Sequence, residues 1–254
     1  PVVDHCEDLH LAEGGCMNEG AISTELGLPG MPAAAEDVMV ARNVALAELT
    51  GARLHLAHIS TEGSVRMVRE AKSRGLHVTA EACPHHFTIT EETVRGYNTY
   101  AKMNPPLRTW KDVQAIKDGL RDGTIDVIAT DHAPHASQEK QLGFTEAPFG
   151  IVGLETALPL TFALVDEGVL SLESAVDKLS TAPAKAFGLA KGTLAVGADA
   201  DVAIVDQQEQ WEVDPATFRS KSRNTPFAGW KVKGRVRMTI VGGRIVFEAG
   251  QAEK

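Results

Sequence analysis

The sequence predicts an α/β fold: the C-terminal half of a (β/α)8 TIM-type barrel, followed by a small β-rich appendage. Short apolar runs alternate with segments of helical periodicity, which is typical of parallel β/α units. Three of these runs end abruptly in metal-binding residue types, and barrels keep their active sites at that end of their strands. After Leu189 the chain changes to a glycine-punctuated β pattern. We therefore divide it into a partial barrel, residues 1–188, and a small β-rich domain, residues 189–254.

The individual elements follow from periodicity and from the residues that stop it. Apolar runs bounded by turn residues predict four barrel strands, at 1–8, 53–58, 76–84 and 125–130. Apolar residues at helical spacing predict helices at 33–51, 61–72, 110–120, 153–167 and 171–180. In the appendage, Gly242-Gly243 between two apolar runs predicts a β-hairpin.

The number of strands falls short of a complete barrel. Eight strands need about 200 to 250 residues, whereas residues 1–188 carry only four convincing ones. The chain also begins at Pro1 in what reads as the middle of a strand. We therefore expect the first half of the barrel to be absent from this sequence.

Composition limits the classes of function. The formal net charge of −9, without a dense lysine and arginine cluster, argues against a nucleic-acid partner. No stretch approaches the ~18 apolar residues that span a bilayer, so we expect a small-molecule substrate and no membrane contact. Three cysteines without CxxC spacing favour a reducing, cytoplasmic location, and we interpret Cys6 and Cys83 each as a small buried residue.

His5, His58 and Asp131 are the candidate metal ligands, each at the end of a predicted strand. Neutral imidazoles and a carboxylate suit Zn²⁺, which keeps one position open to water in catalytic sites. Zinc lowers the pKa of that water, and a neighbouring carboxylate can take its proton and return it to a leaving group. We assign this acid–base role to Asp131. Any one of the three alone is more readily explained as structural, but their coincidence favours a site.

Other residue clusters give weaker signals. His55 differs from His58 in strand parity, so we predict that it faces the helices if His58 faces the barrel axis. The Cys83-Pro84-His85-His86 cluster can ligate a metal, although a loop that shapes the pocket is the simpler interpretation.

Two loops are candidates for binding a substrate. Adjacent prolines stiffen Asn104-Pro105-Pro106-Leu107-Arg108, so that Asn104 can donate to a carboxylate or carbonyl; a simple turn explains this loop equally well. His135, four residues beyond Asp131, can bind a substrate anion at the mouth of the site. Residues 136–150 are too polar and glycine-rich for a core, and we interpret them as a mobile lid, with an ordinary surface loop as the alternative.

At these motifs the sequence resembles the dihydroorotases of the amidohydrolase superfamily, in particular the bacterial type I enzymes. The resemblance runs over essentially the whole chain. The matching segments are His5-Cys6-Glu7-Asp8, His58-Ile59-Ser60-Thr61, Glu81-Ala82-Cys83-Pro84-His85-His86 and residues 102–108, 130–135, 148–155, 192–201 and 224–227.

The resemblance implies a two-zinc enzyme that interconverts N-carbamoyl-L-aspartate and (S)-dihydroorotate in de novo pyrimidine biosynthesis. It implies that His5 and His58 bind one zinc ion. It implies that Asp131 binds the other and serves as general acid and base. The residues that resemble the family's substrate contacts, the last two through their backbone, are Asn104, His135, Phe149 and Gly150.

The sequence departs from the family at the first barrel strand. In the family this strand carries a His-x-His-x-Arg motif, and an earlier strand than those present here supplies a bridging aspartate or carboxylated lysine. Neither occurs in this chain, which therefore offers two ligands to one zinc and one to the other. We expect this chain alone to be inactive and the complete protein to be a dihydroorotase.

Several alternatives stay open. Allantoinase and dihydropyrimidinase share the arrangement of metal ligands. The Asn104 loop and the pattern of residues 136–150 favour dihydroorotase over both. A non-catalytic, dihydroorotase-like partner of aspartate transcarbamoylase is a further alternative, against which the retained His5, His58 and Asp131 argue. The resemblance also implies a homo-oligomer, with aspartate transcarbamoylase as a candidate partner.

Overall fold

A computed structural model describes residues 1–250 of the chain. The strands are β1 (Val2–Asp4), β2 (Met17–Asn18), β3 (Gly30–Met31), β4 (Leu54–Leu56), β5 (Val78–Ala82), β6 (Val127–Ile128), β7 (Val202–Glu212), β8 (Lys231–Val241) and β9 (Arg244–Glu248). The α-helices are α1 (Ala21–Leu26), α2 (Ala33–Thr50), α3 (Glu62–Ser73), α4 (Pro84–Thr88), α5 (Trp110–Asp122), α6 (Ser137–Lys140), α7 (Leu154–Asp166), α8 (Leu172–Val176) and α9 (Ala182–Phe187). A π-helical turn, Asp177–Thr181, joins α8 to α9.

The four predicted barrel strands form one parallel sheet in the order β1-β4-β5-β6. Its registers pair Val3 with His55, His55 with Thr79, and Glu81 with Val127. All four strands therefore end at one edge, where the predicted ligands follow β1, β4 and β6. The α/β prediction is confirmed, although each strand is shorter than its apolar run because the backbone turns into a loop at the ligand-bearing end.

The helices begin and end where local chemistry satisfies the backbone. Thr61 precedes α3 and its side chain accepts a hydrogen bond from the Ser64 amide at 3.0 Å. The Thr109 and Asp112 side chains cap the start of α5 reciprocally. Gly123 ends that helix with φ 81°, a left-handed conformation in which glycine is not strained.

The core lies between the sheet and the helices α2, α3 and α5. These helices pack against each other and against β4 and β5. Its fully buried side chains include Leu56, Ile59, Val68, Ile116 and Leu120. One face of the parallel sheet is thereby covered, and the loops at the strand ends are held against a rigid layer.

The tail forms a separate antiparallel sheet in the order β7-β8-β9. The predicted hairpin is confirmed, because Gly242 and Gly243 join β8 to β9 with φ values of 55° and 76°. A Cβ atom on Gly234 would lie 2.5 Å from the Phe162 ring, so β8 packs closely on α7. The domain boundary at residue 189 stays a prediction, and residues 251–254 of that predicted domain lie outside the described residues.

Several short elements were not predicted from the sequence. The connection at 9–32 contains α1 and the two-residue pair β2–β3, and α9 follows the last predicted helix. Within residues 1–250, no helix combines the length and the apolar character that crossing a bilayer requires.

Candidate metal and substrate site

The structure brings His5 and His58 together. His5 follows β1 and His58 follows β4, and their Nδ1 and Nε2 atoms lie 3.1 Å apart. The two rings meet edge to face, with centroids 4.7 Å apart. Two nitrogens bound to one tetrahedral zinc ion at ~2.0–2.1 Å lie about 3.3 Å from each other. The pair therefore has the spacing of two ligands on one ion.

The hydrogen-bond partners of these rings are also compatible with a metal ion. His5 Nε2 lies 3.2 Å from Glu7 Oε2, so the carboxylate holds the ring proton on that nitrogen. The remaining lone pair, on Nδ1, then points at His58. His58 Nδ1 is buried and has no hydrogen-bond partner among residues 1–250. An ion held by His5 Nδ1 and His58 Nε2 fits the approach of those two atoms, and His58 Nδ1 would then carry the proton of that ring.

Two of the predicted ligands have strained backbones. The non-glycine residues with positive φ among residues 1–250 include His58, at 31°, and Asp131, at 46°. Such conformations cost roughly 1–3 kcal/mol each and persist where surrounding contacts enforce them, often at functional sites. The strain at both strand ends supports a functional role for these turns.

The parity prediction for His55 stays a prediction, because β4 ends before His58 and alternation does not extend to that residue. The centroid of the His55 ring lies 4.8 Å from that of the Phe187 ring on α9. Within β4, His55 points to the face opposite the buried Leu54 and Leu56, where it contacts Thr79 at 2.8 Å. Both histidines meet at Glu81, which accepts hydrogen bonds from His55 Nε2 at 3.0 Å and the His58 amide at 3.3 Å.

Asp131 lies at the same edge of the sheet, directly after β6. Burial, followed by the charges of Asp131 and Glu81, raises the pKa of the Cys83 thiol, which directly follows β5. The next residue, His132, accepts hydrogen bonds from the Gly153 and Leu154 amides at 3.1 and 3.3 Å. His132 therefore anchors the start of α7, while the metal and acid–base roles of Asp131 stay predictions.

Cys83, His85 and His86 form a second, fully buried donor cluster, with one ligand atom of each within 4.8 Å of the others. Burial lowers the pKa of His86 to about 4 and that of His85 well below its usual range, so both rings are neutral. His86 Nε2 donates to the Pro105 carbonyl at 3.0 Å. The Cys83 thiol stays protonated because its pKa is raised. His85 Nε2 and His86 Nδ1 are buried without a hydrogen-bond partner among residues 1–250, so the pocket-wall interpretation and the metal-ligand alternative both stay predictions.

The predicted substrate residues surround the same edge. Asn104 Nδ2 donates to Glu7 Oε2 at 2.6 Å, so Glu7 links it to His5. His135 Nε2 donates to the Phe149 carbonyl at 2.7 Å. The structure thus joins Asn104 to the imidazole pair and His135 to the Phe149–Gly150 segment; their contacts with substrate stay predictions.

The interpretation of residues 136–150 as non-core was wrong in part. Lys140, Phe144 and Ala147 are buried. The segment contains α6, and the side chains of Lys102 and Lys140 donate hydrogen bonds to its carbonyl groups. Polarity misled the prediction, because a lysine is buried when its ammonium group meets enough acceptors.

Sequence reasoning also missed a buried ionic network behind the His58 turn. Glu36 on α2 accepts hydrogen bonds from the Ser60 amide at 2.8 Å and the Ser64 hydroxyl at 2.6 Å. Arg108 lies 4.0 Å from Glu36 and donates to the Ser60 hydroxyl at 3.1 Å. Glu36 lies in an ordinary helical pattern, so no spacing signal connects it with residues 24 to 72 positions away.

Comparison with known proteins agrees with this geometry. The sequence model of the Amidohydrolase family matches residues 7–246. The chain belongs to the amidohydrolase family. Members of that family are generally metal-dependent, and the described residues include the donor pair and the buried cluster described above.

Among curated relatives, the dihydroorotase of Syntrophus aciditrophicus (strain SB) is 57% identical over 247 residues, which cover 97% of this chain and 58% of the relative. The dihydroorotase of Anaeromyxobacter sp. (strain K) is 56% identical over 256 residues, covering 100% of this chain and 59% of the relative. This amidohydrolase chain thus spans a little under three-fifths of the length of the curated relatives it matches.

Solved amidohydrolase structures share the fold. The dihydropyrimidinase from Brevibacillus agri NCHU1002 superposes with a TM-score of 0.86 at 30% identity, over 98% of this chain and 57% of that structure. The L-hydantoinase from Arthrobacter aurescens gives a TM-score of 0.86 at 32% identity, over 99% of this chain and 58% of that structure. The predicted barrel-type α/β class with a small β-rich appendage is confirmed.

Proposed function

We propose that this chain supplies one zinc-binding pair and the catalytic aspartate of a dihydroorotase. The observation that carries the proposal is the 3.1 Å approach of His5 Nδ1 to His58 Nε2, at the strand edge that also bears Asp131. The identity of 56–58% with curated dihydroorotases supports the substrate. Solved dihydropyrimidinase and hydantoinase structures share the fold at a lower identity, 30–32%, and supply the second candidate.

Each of these residues has a separate proposed role in opening a cyclic amide. His5 and His58 would hold a zinc ion, which when bound would lower the pKa of a water molecule and polarise a carbonyl group. Asp131 takes a proton from the attacking water molecule while the water oxygen bonds to the ring carbonyl carbon. When the C–N bond breaks, Asp131 returns the proton to the leaving nitrogen, which yields N-carbamoyl-L-aspartate from dihydroorotate. Ring closure runs through the same steps in reverse.

The remaining residues bind and orient the substrate. Asn104 and His135 are proposed to donate to its carboxylate and carbonyl groups, and the Phe149–Gly150 backbone to contact the ring. Glu7 holds both His5 and Asn104, which supports a common geometry for metal and substrate. The predicted two-zinc centre requires further ligands beyond the three in this chain, so we propose that the chain alone does not turn over dihydroorotate.

Metal titration tests the zinc pair without requiring activity. His5→Ala or His58→Ala in the 254-residue chain should weaken Zn²⁺ binding, measured by calorimetry, by at least about tenfold. His77→Ala is the matched control, because His77 is exposed and precedes β5, at the opposite edge of the sheet. Equal affinity in the three variants would contradict the proposed pair.

Substrate comparison tests the reaction. A complete protein containing this chain should hydrolyse dihydroorotate in preference to dihydrouracil and allantoin. Asp131→Asn should abolish turnover while the zinc ion held by His5 and His58 is retained. Preference for dihydrouracil would favour the dihydropyrimidinase alternative. If the complete protein contains no zinc and shows no turnover, that result would favour a non-catalytic, dihydroorotase-like partner of aspartate transcarbamoylase.

We further propose a cytoplasmic homo-oligomer, with aspartate transcarbamoylase as the candidate protein partner. Three free, buried thiols support a reducing compartment. The assembly rests on the resemblance to dihydroorotases, and size-exclusion chromatography with and without aspartate transcarbamoylase tests it.

A further inference from the structure

Two buried lysines hold the loop that follows α6. The side chains of Lys102 and Lys140 each have a relative exposure of 2%. Lys102 Nζ donates to three carbonyl oxygens of the loop, those of Phe144 at 2.7 Å, Thr145 at 3.0 Å and Ala147 at 2.6 Å. An ammonium group has three donors, so all of them are used here.

Lys140 holds the part of the loop that comes next in the chain. Its Nζ donates to the carbonyl oxygens of Pro148 at 2.8 Å and Gly150 at 3.1 Å. In return, the Gly150 amide donates to the Lys102 carbonyl at 2.9 Å. With His135 on the Phe149 carbonyl, each of the four consecutive carbonyls from 147 to 150 accepts a side-chain donor.

This arrangement costs free energy and confines the loop. Burial lowers the pKa of Lys140 to about 8 and also lowers that of Lys102. Lys102 Nζ lies 4.5 Å from the centroid of the Phe149 ring, so the same cation fixes that side chain as well as the backbone. Buried cations that destabilise the folded state but satisfy many acceptors are expected to specify one geometry.

We propose that Lys102 and Lys140 are positioning residues that fix the Phe149–Gly150 peptide as a rigid wall of the substrate site. The loop is then a preformed part of the site, and the lid interpretation of residues 136–150 does not apply to its second half. The substrate part of this inference rests on the proposed function, whereas the rigidity of the loop does not.

Hydrogen–deuterium exchange on the 254-residue chain tests the rigidity. Lys102→Met and Lys140→Met should each speed exchange of the Ala147 and Gly150 amides by roughly tenfold or more, since charge-assisted hydrogen bonds are lost. Lys178→Met is the matched control: Lys178 is also buried and donates to a carbonyl, that of Ile125 at 2.5 Å, away from this loop. Exchange at 147–150 that is unchanged in both variants, or that rises equally in the control, overturns the proposal.

A measurement on the unsubstituted chain tests the proposal even if the variants do not fold. The Gly150 amide should exchange at least roughly tenfold more slowly than a free peptide. Exchange at the free rate would show a mobile lid and overturn the proposal.

Kinetics on a complete enzyme test the link to substrate. Lys140→Met should raise KM for dihydroorotate about tenfold or more with bound zinc unchanged, and the Lys178→Met control should leave KM unchanged. An unaltered KM overturns the positioning role. Loop protection without dihydroorotate turnover in the unsubstituted enzyme would support the rigid loop and count against the proposed function alone.

Discussion

Replacing Arg108 by methionine should destabilise the chain by about 3–5 kcal/mol, because it leaves the buried Glu36 carboxylate without its cation. Arg108 is 4% exposed and Glu36 is 3% exposed, so solvent cannot compensate either charge. Arg108 also donates to Asn18 Oδ1 and to the Met31 carbonyl, both at 2.8 Å. The methionine returns some apolar burial, which keeps the loss below the sum of the lost hydrogen bonds.

The assay is urea unfolding at neutral pH, followed by tryptophan fluorescence and circular dichroism. Arg108→Lys keeps the charge and should cost less than Arg108→Met, since a lysine cannot reproduce the planar fork. In a Glu36→Gln background, Arg108→Met should cost less than in the unsubstituted chain, because the uncompensated charge is gone. A loss below about 1 kcal/mol, or strict additivity of the two substitutions, would refute the reasoning.

Three further predictions concern other parts of the fold. The pKa of Lys140, about 8, lies below the ordinary ~10.4, so the unfolded chain binds more protons between these values. The free energy of unfolding should therefore rise with pH across this window, by up to roughly 3 kcal/mol, and urea unfolding of Lys140→Met should show a flatter profile. Gly153→Ala should destabilise by about 1–3 kcal/mol, because its Cβ would lie 2.5 Å from the Thr130 carbonyl oxygen, whereas Gly20→Ala meets nothing closer than 3.6 Å and serves as the control in thermal melts. All three thiols are buried with raised pKa values, so a disulfide reagent should titrate them only after unfolding; rapid native reaction would contradict this packing.

The sequence predicts the parallel sheet well because its information is local. An apolar run that stops at a ligand-type residue specifies a buried strand and the direction of its exposed end, as with β4 and His58. The hairpin at Gly242-Gly243 is similarly encoded by its own residues. Elements of two to six residues, such as β2, β3 and α9, carry too few side chains for a periodic signal.

Of the candidate site, the sequence predicted the closeness of His5 and His58 but not the groups that hold them. His5 and His58 are adjacent in space because parallel strands place consecutive ends side by side, which spacing alone indicates. The carboxylates that hold them were not predicted, although Glu7 lies only two residues from His5. Long-range partners such as Lys102 and Ala147 depend on how a loop folds over the sheet, and no local pattern specifies that path.

The strained turn at His58 shows how the groups around a candidate ligand fix its position. Three of its amide groups donate to carboxylates: the His58 amide to Glu81 at 3.3 Å, and the Ser60 and Thr61 amides to Glu36 at 2.8 and 3.2 Å. Two acceptors on different elements thus fix both ends of a turn whose positive φ is unfavourable by itself. Because Arg108 compensates the charge of Glu36, the direction of the His58 imidazole depends on an ion pair on the loop beyond Asn104. The same loop carries the predicted substrate contact, so the predicted metal ligand His58 and that contact are constrained by one buried network.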